Sequence, residues 1–243
     1  MLVSLCAPFI APYDPLAAVS PSLAEPSAQH LFGADLIGRD VFSRVLHGGA
    51  RTLSIALIAF ACTVLIGGAL GISAGFFGGA FDALIVSLTD ALLSIPSLLI
   101  ALSLLTLAGS GSLQIAFAAA LSGLPAYLRV VRAAARSTRT QPYIEAARAV
   151  GVGELGLLWR HVLPNTAPIC LSAGMVALAW AILNAATLHF LGFGGDPSLP
   201  EWGAMLAEGR AVFRAAPWVA CAPGVALMLT LLAANGVARR LAR

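Results

Sequence analysis

The charged side chains of this sequence are few and gathered, and their grouping limits the chemistry the chain can perform. Glu145, Arg148, Glu154, Arg160 and His161 fall in one stretch, EAARAVGVGELGLLWRHVLPN (145–165), between long apolar segments. Asp35, Arg39, Asp40 and Arg44 fall in a second, GADLIGRDVFSR (33–44). Neither sets a nucleophile beside a base, and there is no GxSxG elbow, no HExxH pair and no paired intramembrane carboxylate, so no catalytic residue is expected. All 14 basic residues are arginine, which excludes a GxxxxGK[ST] phosphate loop, because that loop requires its lysine. Cys6, Cys62, Cys170 and Cys221 are widely separated, without CxxC or zinc spacing; they read as small apolar side chains, and no metal site is expected. The chemistry left is recognition.

The first stretch is expected to be built as a knob. Residues 142–148 suit a short helix with Glu145 in its first turn, where a carboxylate complements the positive end of the helix dipole. Gly151 and Gly153 break it. A second helical run, 154–162, carries Leu155, Leu158 and Trp159 at helical spacing, and Pro164 sets the start of the next element. The alternative is an ordinary solvated loop between two spans. In the second stretch, Asp35, Arg39, Asp40 and Arg44 are expected to form an exposed ion-pair cluster over the membrane surface, each pair contributing roughly 0 to 1 kcal/mol.

The elements that must position these groups are membrane helices. Hydrophobic residues make up 59% of the 243 and charged ones 10%, against roughly 45–50% and 25% in soluble domains. Apolar runs at 52–74, 83–107, 112–128, 166–193 and 218–238 each compare with the ~20 residues needed to cross a bilayer. The expectation is an all-α membrane protein with five full transmembrane helices. Residues 1–11 are apolar but too short to cross, and read as part of a first helix whose remainder is expected upstream; they lack the basic start and cleavage site of a signal peptide.

Within the spans, Gly67, Gly68, Gly71 and Gly75 place small residues at four-residue spacing, a face that lets helices approach closely. Asp90 is expected to pair with an arginine of another helix, and Pro96 to kink its own. His189 and Asn184 read as hydrogen-bonded rather than ligating. The segment 201–214 is expected to be an amphipathic helix at the outer interface, with Trp202 and Trp218 as aromatic anchors.

Arg129, Arg132, Arg136, Arg139, Arg148 and Arg160 crowd around the insert, and Arg239, Arg240 and Arg243 close the chain, so both regions, including the C-terminus, are expected in the cytoplasm. Residues 13–47 then fall outside. The basic cluster lacks interleaved aromatics, so no nucleic-acid partner is expected.

Three motifs in order resemble one family. The insert, with Glu145-Ala146-Ala147, then Gly151, then His161-x-Leu163-Pro164, is similar to the cytoplasmic coupling loop of ABC importer permeases. Gly33-x-Asp35-x-x-Gly38-Arg39-Asp40-x-x-Ser43-Arg44 resembles the external segment of the dipeptide, oligopeptide and nickel permeases, with Ala34 where threonine is common. FLGFG followed by PEWGAMLAEGR and APW resembles the same subfamily. The resemblance implies a type I ABC importer transmembrane domain, with residues 1–48 as a partial first helix and external segment and 49–240 as the permease domain. It implies a multi-pass protein of the bacterial cytoplasmic (inner) membrane that moves peptides by alternating access. The implied partners are a homologous second permease, two ATP-binding subunits that bind the ATP, and an external substrate-binding protein, which the 33–44 motif could help receive. This chain would itself bind no cofactor. Nickel or another small solute is the alternative cargo, and a secondary transporter the alternative class.

Overall fold

Long apolar runs with few internal breakers fold as long helices. The structure, a computed structural model, describes residues 7–194, 196 and 198–241. Its helices are α1 Ala7–Ile10, α2 Val41–Phe77, α3 Gly79–Leu93, α4 Ser97–Ala108, α5 Ser112–Arg139, α6 Pro142–Ala149, α7 Glu154–Leu157, α8 Leu163–Phe190, α9 Trp202–Ala211 and α10 Trp218–Leu241. One π-helical turn, Leu158–Val162, joins α7 to α8. Of the N-terminal apolar stretch, α1 lies within the described residues; residues 1–6, Cys6 among them, lie outside.

Asp40 starts α2 as its N-cap, its carboxylate accepting from Ser43 N at 2.8 Å. The helix then runs 37 residues, about 55 Å at 1.5 Å per residue, until Gly78 turns the chain at φ 71°. It begins in the segment expected to precede the first full span. Among the described residues, four helices are long and apolar enough to cross a membrane: α2, α5, α10 and the continuous Glu154–Phe190 rod of α7, the π turn and α8. The chain is a multi-pass membrane protein. A fifth crossing exists if α3 and α4 are one span, for the pair bends by 90° at its break. The kink expected at Pro96 is therefore a full interruption, because proline supplies no N–H to the ladder and its ring crowds the preceding turn.

The glycine face does what its spacing predicts. A Cβ on Gly67 would stand 2.9 Å from the Tyr127 ring and one on Gly71 2.9 Å from the Leu128 carbonyl oxygen; one on Gly75 would run into the Arg132 carbonyl. Gly68 faces open space. Through this face α2 and α5 form the most extensive helix contact of the bundle.

The two ends of the bundle carry different devices. At one, Phe76 and Ala135 pack with Ile144, Leu157 and Val162, so α2 and α5 finish against the insert. Leu241 of α10 lines one cavity with Leu163, Thr166 and Ile72 at the same end. At the other, Val41, Val45 and Leu53 pack with Trp202, Met205 and Val219. The arginines near the insert and those closing α10 thus share one end, and the 33–44 motif and α9 share the other.

Here α9 departs from expectation. Trp202 is 2% exposed and its Nε1 donates to the Val45 carbonyl at 2.8 Å. Trp218 Nε1 donates to the Ala34 carbonyl at 3.1 Å. Trp202 is thus a core residue and not an interfacial anchor, while Trp218 is part-buried. The apolar face of α9 is covered by α8, α10 and α2, so the helix is a wedge inside a cap.

Candidate functional site

Gln141 in extended conformation and Pro142 at the first position start α6, and Ile144 is buried while the Glu145 side chain is exposed, with no side-chain hydrogen bond or ion pair to any described residue. The helix ends in a left-handed cap. Gly151 has φ 92°, its N–H bonds the Arg148 carbonyl at 3.0 Å, and Val152 N–H bonds the Ala147 carbonyl at 3.1 Å, the paired bonds of a Schellman motif. Arg148 then reaches across this hinge. Its Nε donates to Glu154 Oε1 at 2.9 Å and its Nη2 to Oε2 at 3.3 Å, bracing α6 against α7.

The second half of the knob is not a separate helix. The chain from Glu154 enters α8 without leaving helical conformation, through the π turn in which Leu163 N–H bonds the Leu158 carbonyl. Pro164, expected to mark a start, is the second residue of α8 and lies ten residues inside the continuous rod that begins at Glu154. The widened turn accommodates its ring and missing N–H. His161 lies over Tyr143 with ring centroids 6.3 Å apart, and Asn165 Nδ2 donates to its carbonyl at 2.6 Å. Any force on the knob therefore acts on a rod as long as α2.

The knob has a root and a tip. Ile144, Leu157, Leu158 and Val162 form the buried root. Leu155, which with Leu158 and Trp159 made the expected apolar stripe, is instead at the tip: Val150 is 81% exposed, Leu155 67% and Trp159 68%. Glu145, Ala146, Arg148, Glu154 and Arg160 of the same segment are exposed as well. Sequence spacing suggested the knob; which leucines faced outward depended on the register set by the π turn.

Behind the knob, α3 is tied to α5 by two arginine–aspartate pairs. Arg129 pairs with Asp90, as expected, in an exposed contact. Arg132 grips Asp82 with both ends of its fork, Nη2 to Oδ2 at 2.7 Å. Between α5, α8 and the α3–α4 break lies a cavity of about 340 Å³, lined by Ser97, Ser122, Tyr127, Trp180 and Asn184 among apolar groups and by no charged side chain. Asn184 Nδ2 donates to Trp180 O at 3.0 Å. Among the cysteines, Cys62 and Cys170 are part-buried and Cys221 is exposed, so Cys221 departs from the expected burial.

At the opposite end the 33–44 motif corrects the sequence expectation most. Its charges are buried: Asp35 is 2% exposed, Arg39 7%, Asp40 0% and Arg44 0%. Gly33 and Gly38 adopt φ of 67° and 83°, which folds the segment so that Asp35 Oδ1 accepts from Ile37 N and Arg39 N, each at 3.0 Å, and Oδ2 accepts from Arg39 Nε at 2.6 Å. Ser43 Oγ donates to Asp40 at 2.8 Å, and His30 Nδ1 lies 3.0 Å from the other oxygen of Asp40. The missing element was Glu208 of α9. Arg39 and Arg44 both reach it, with Nη2 contacts of 3.3 Å and 3.2 Å to Oε2. Burial pushes the Glu208 carboxyl above its ordinary range, while the Arg44 and Arg39 guanidiniums pull it back. Glu208 stands in the PEWGAMLAEGR run, but no spacing ties it to its partners, which lie more than 160 residues away.

Comparisons with known proteins match this arrangement. The family described as "Binding-protein-dependent transport system inner membrane component" matches residues 67–243. The chain is 39% identical over 240 residues, 96% of its length and 79% of the relative's, to the "Di/tripeptide transport system permease protein DppC" of Pseudomonas aeruginosa (strain UCBPP-PA14). It is 39% identical over 237 residues, 97% of its length and 78% of the relative's, to the "Glutathione transport system permease protein GsiD" of Escherichia coli O157:H7. An inward-facing structure of the MetNI methionine ABC transporter shares the fold, with TM-score 0.64 and 17% identity over 82% of this chain and 97% of that one. With the type I importer fold and the family match in place, the chain belongs to the binding-protein-dependent transport system inner membrane components, the ABC importer permeases of the peptide family that its motifs resemble.

Proposed function

We propose that this chain is one permease half of an ATP-driven importer of short peptides in the bacterial cytoplasmic membrane. It works beside a homologous second permease, two ATP-binding subunits that hold the ATP, and an external substrate-binding protein. The insert and the C-terminus face the cytoplasm, in keeping with the arginines gathered at that end. Peptide cargo is inferred from the di/tripeptide and glutathione systems to which the relatives belong.

The observation that carries this reading is the knob: a root packed under α2 and α5, an exposed tip of Val150, Leu155 and Trp159, and continuity of its second half with α8. Docked on an ATP-binding subunit, the tip receives displacement when the two ATPases close. Because the π turn joins α7 to α8 without a loop, the displacement passes directly into a wall of the cavity that holds Ser97, Ser122 and Asn184. Those groups offer hydrogen bonds to a peptide backbone without trapping either of its charges, which suits a path whose occupant must leave again.

The test is reconstitution of the permease pair with its ATPases in proteoliposomes, with binding protein and labelled dipeptide outside. ATP-dependent accumulation supports the reading; accumulation driven by an ion gradient without ATP would replace it with a secondary transporter.

A further inference from the structure

The arginines at the knob end of the bundle are not equally employed. Arg129 pairs with Asp90, Arg132 with Asp82 and Arg148 with Glu154. Arg136, exposed on α5, makes no side-chain hydrogen bond or ion pair with any described residue. Arg139 has no carboxylate partner among the described residues. Its Nη1 donates to the Phe77 carbonyl at 3.4 Å and would stand 3.0 Å from a Cβ on Gly78, so this guanidinium lies at the turn where α2 ends and α3 begins. Arg132, Arg136 and Arg139 follow at four- and three-residue spacing, which places them along one face of α5. Asp82, in the first turn of α3, is the carboxylate that Arg132 grips. Three positive charges against one negative leave the turn with unmatched arginine.

Beside this charge, α3 has two unlike faces. Asp82, Ile85 and Thr89 point inward: Asp82 meets Arg132, and Ile85 packs with Ala74 and Leu128. Phe81, Leu84 and Leu88 form the outer face and are 42%, 55% and 54% exposed, with Phe77 at the end of α2 exposed by 48%. The 15 residues of α3 reach about 22 Å at 1.5 Å per residue, so the apolar face starts directly at the arginines and runs away from them along one short helix. Positive charge at one end and an uncovered apolar strip leading from it match a negatively charged amphiphile. A soluble anion fits the arginines and leaves the strip bare; an acidic protein surface fits the arginines and does not follow a strip of phenylalanine and leucine along a membrane helix.

We propose that the junction of α2, α3 and α5 binds an anionic phospholipid, its phosphate on Arg136 and Arg139 and an acyl chain along Phe81, Leu84 and Leu88. Basic groups between membrane helices at the cytoplasmic side hold such headgroups by the same attraction. The site adjoins the knob. Phe76 and Ala135, the sequence neighbours of Phe77 and Arg136, are buried in its root with Ile144 and Leu157, so a bound lipid braces the root from its flank. The assignment to the cytoplasmic leaflet and the consequence for import rest on the importer reading above, whereas binding itself does not.

The experiment titrates the purified importer complex in detergent with phosphatidylglycerol, and with phosphatidylcholine of the same chains, and counts bound lipid by native mass spectrometry. Wild type should prefer phosphatidylglycerol. In the double variant Arg136→Gln, Arg139→Gln that preference should fall about fivefold for each arginine removed. Arg239→Gln with Arg240→Gln removes the same charge from two exposed positions at the same end of the bundle and should leave the preference intact. R136Q alone, at a side chain with no partner to lose, should keep the wild-type melting temperature and still show its share of the effect. Equal loss in both double variants would mean an unspecific response to charge and would overturn the proposal. Displacement of the lipid by millimolar inorganic phosphate would mean a free-phosphate site, and loss of bound ATPase from the R136Q/R139Q complex with an unchanged lipid preference would mean a protein contact; either overturns it too. Lipid counts do not depend on the cargo, so failure here is distinguishable from failure of the peptide-import reading.

Discussion

The Arg44 guanidinium of α2 and the Glu208 carboxylate of α9, 164 residues apart, meet in the closed end of the bundle with Nη2 3.2 Å from Oε2. Arg44 has no exposure, and its Nε lies 3.4 Å from Asp35 as well. Removing it leaves the buried Asp35 and the part-buried Glu208 to share Arg39 alone. Arg44→Ala is expected to cost about 3–5 kcal/mol and to lower both the yield of folded protein and its melting temperature in detergent. An unchanged melting temperature would show that the cluster is solvated.

The glycine face makes a prediction with an internal control. Gly71→Leu must displace the Leu128 backbone and Val131, whereas Gly68→Leu enters open space. The first should destabilise by about 1–3 kcal/mol or more and the second should leave the melting temperature of the isolated chain near wild type. Equal losses at both positions would mean that α2 and α5 do not pack through this face.

The hinge depends on a backbone state that L-residues resist. Gly151→Ala forces an alanine to φ 92° at a cost of about 1–2 kcal/mol, a strain the knob can relieve only by re-angling α6 against α7. Global melting should barely change, because the position is exposed at the surface. ATP hydrolysis by the reconstituted complex should persist while peptide uptake drops, and a variant with unaltered uptake per ATP would show that the hinge angle does not matter.

Orientation is tested by impermeant maleimide on intact cells carrying single cysteines in a cysteine-free background. Ser27→Cys should label and Ser137→Cys should not; both positions are exposed on the protein. The reverse pattern would invert the topology.

Much of this molecule is legible in its sequence, for identifiable reasons. The Gly67–Gly71–Gly75 face and the Asp90–Arg129 pair follow from composition and helical period, which local sequence encodes. The burial of the 33–44 charges does not, because it depends on Glu208, and α9 shows only that it has an apolar face, not that α2, α8 and α10 cover it. Pro164 does stand in the first turn of α8, but the chain before it is already helical, because the π turn at Leu158–Val162, which has no simple sequence signal, carries the helix through from Glu154. The outward register of Leu155 and Trp159 follows from that turn and was hidden with it.

Trp159 offers the most direct test of the central claim, since it is 68% exposed at the knob tip. Trp159→Asp should leave the permease folded and in the membrane. In proteoliposomes with its ATPases, binding protein and labelled dipeptide, it should lose at least about tenfold of ATP-driven uptake, equivalent to ~1.4 kcal/mol of coupling, and retain less ATPase on co-purification. Wild-type uptake with a full complement of bound ATPase would contradict the claim that this knob is where the chain receives the work of ATP.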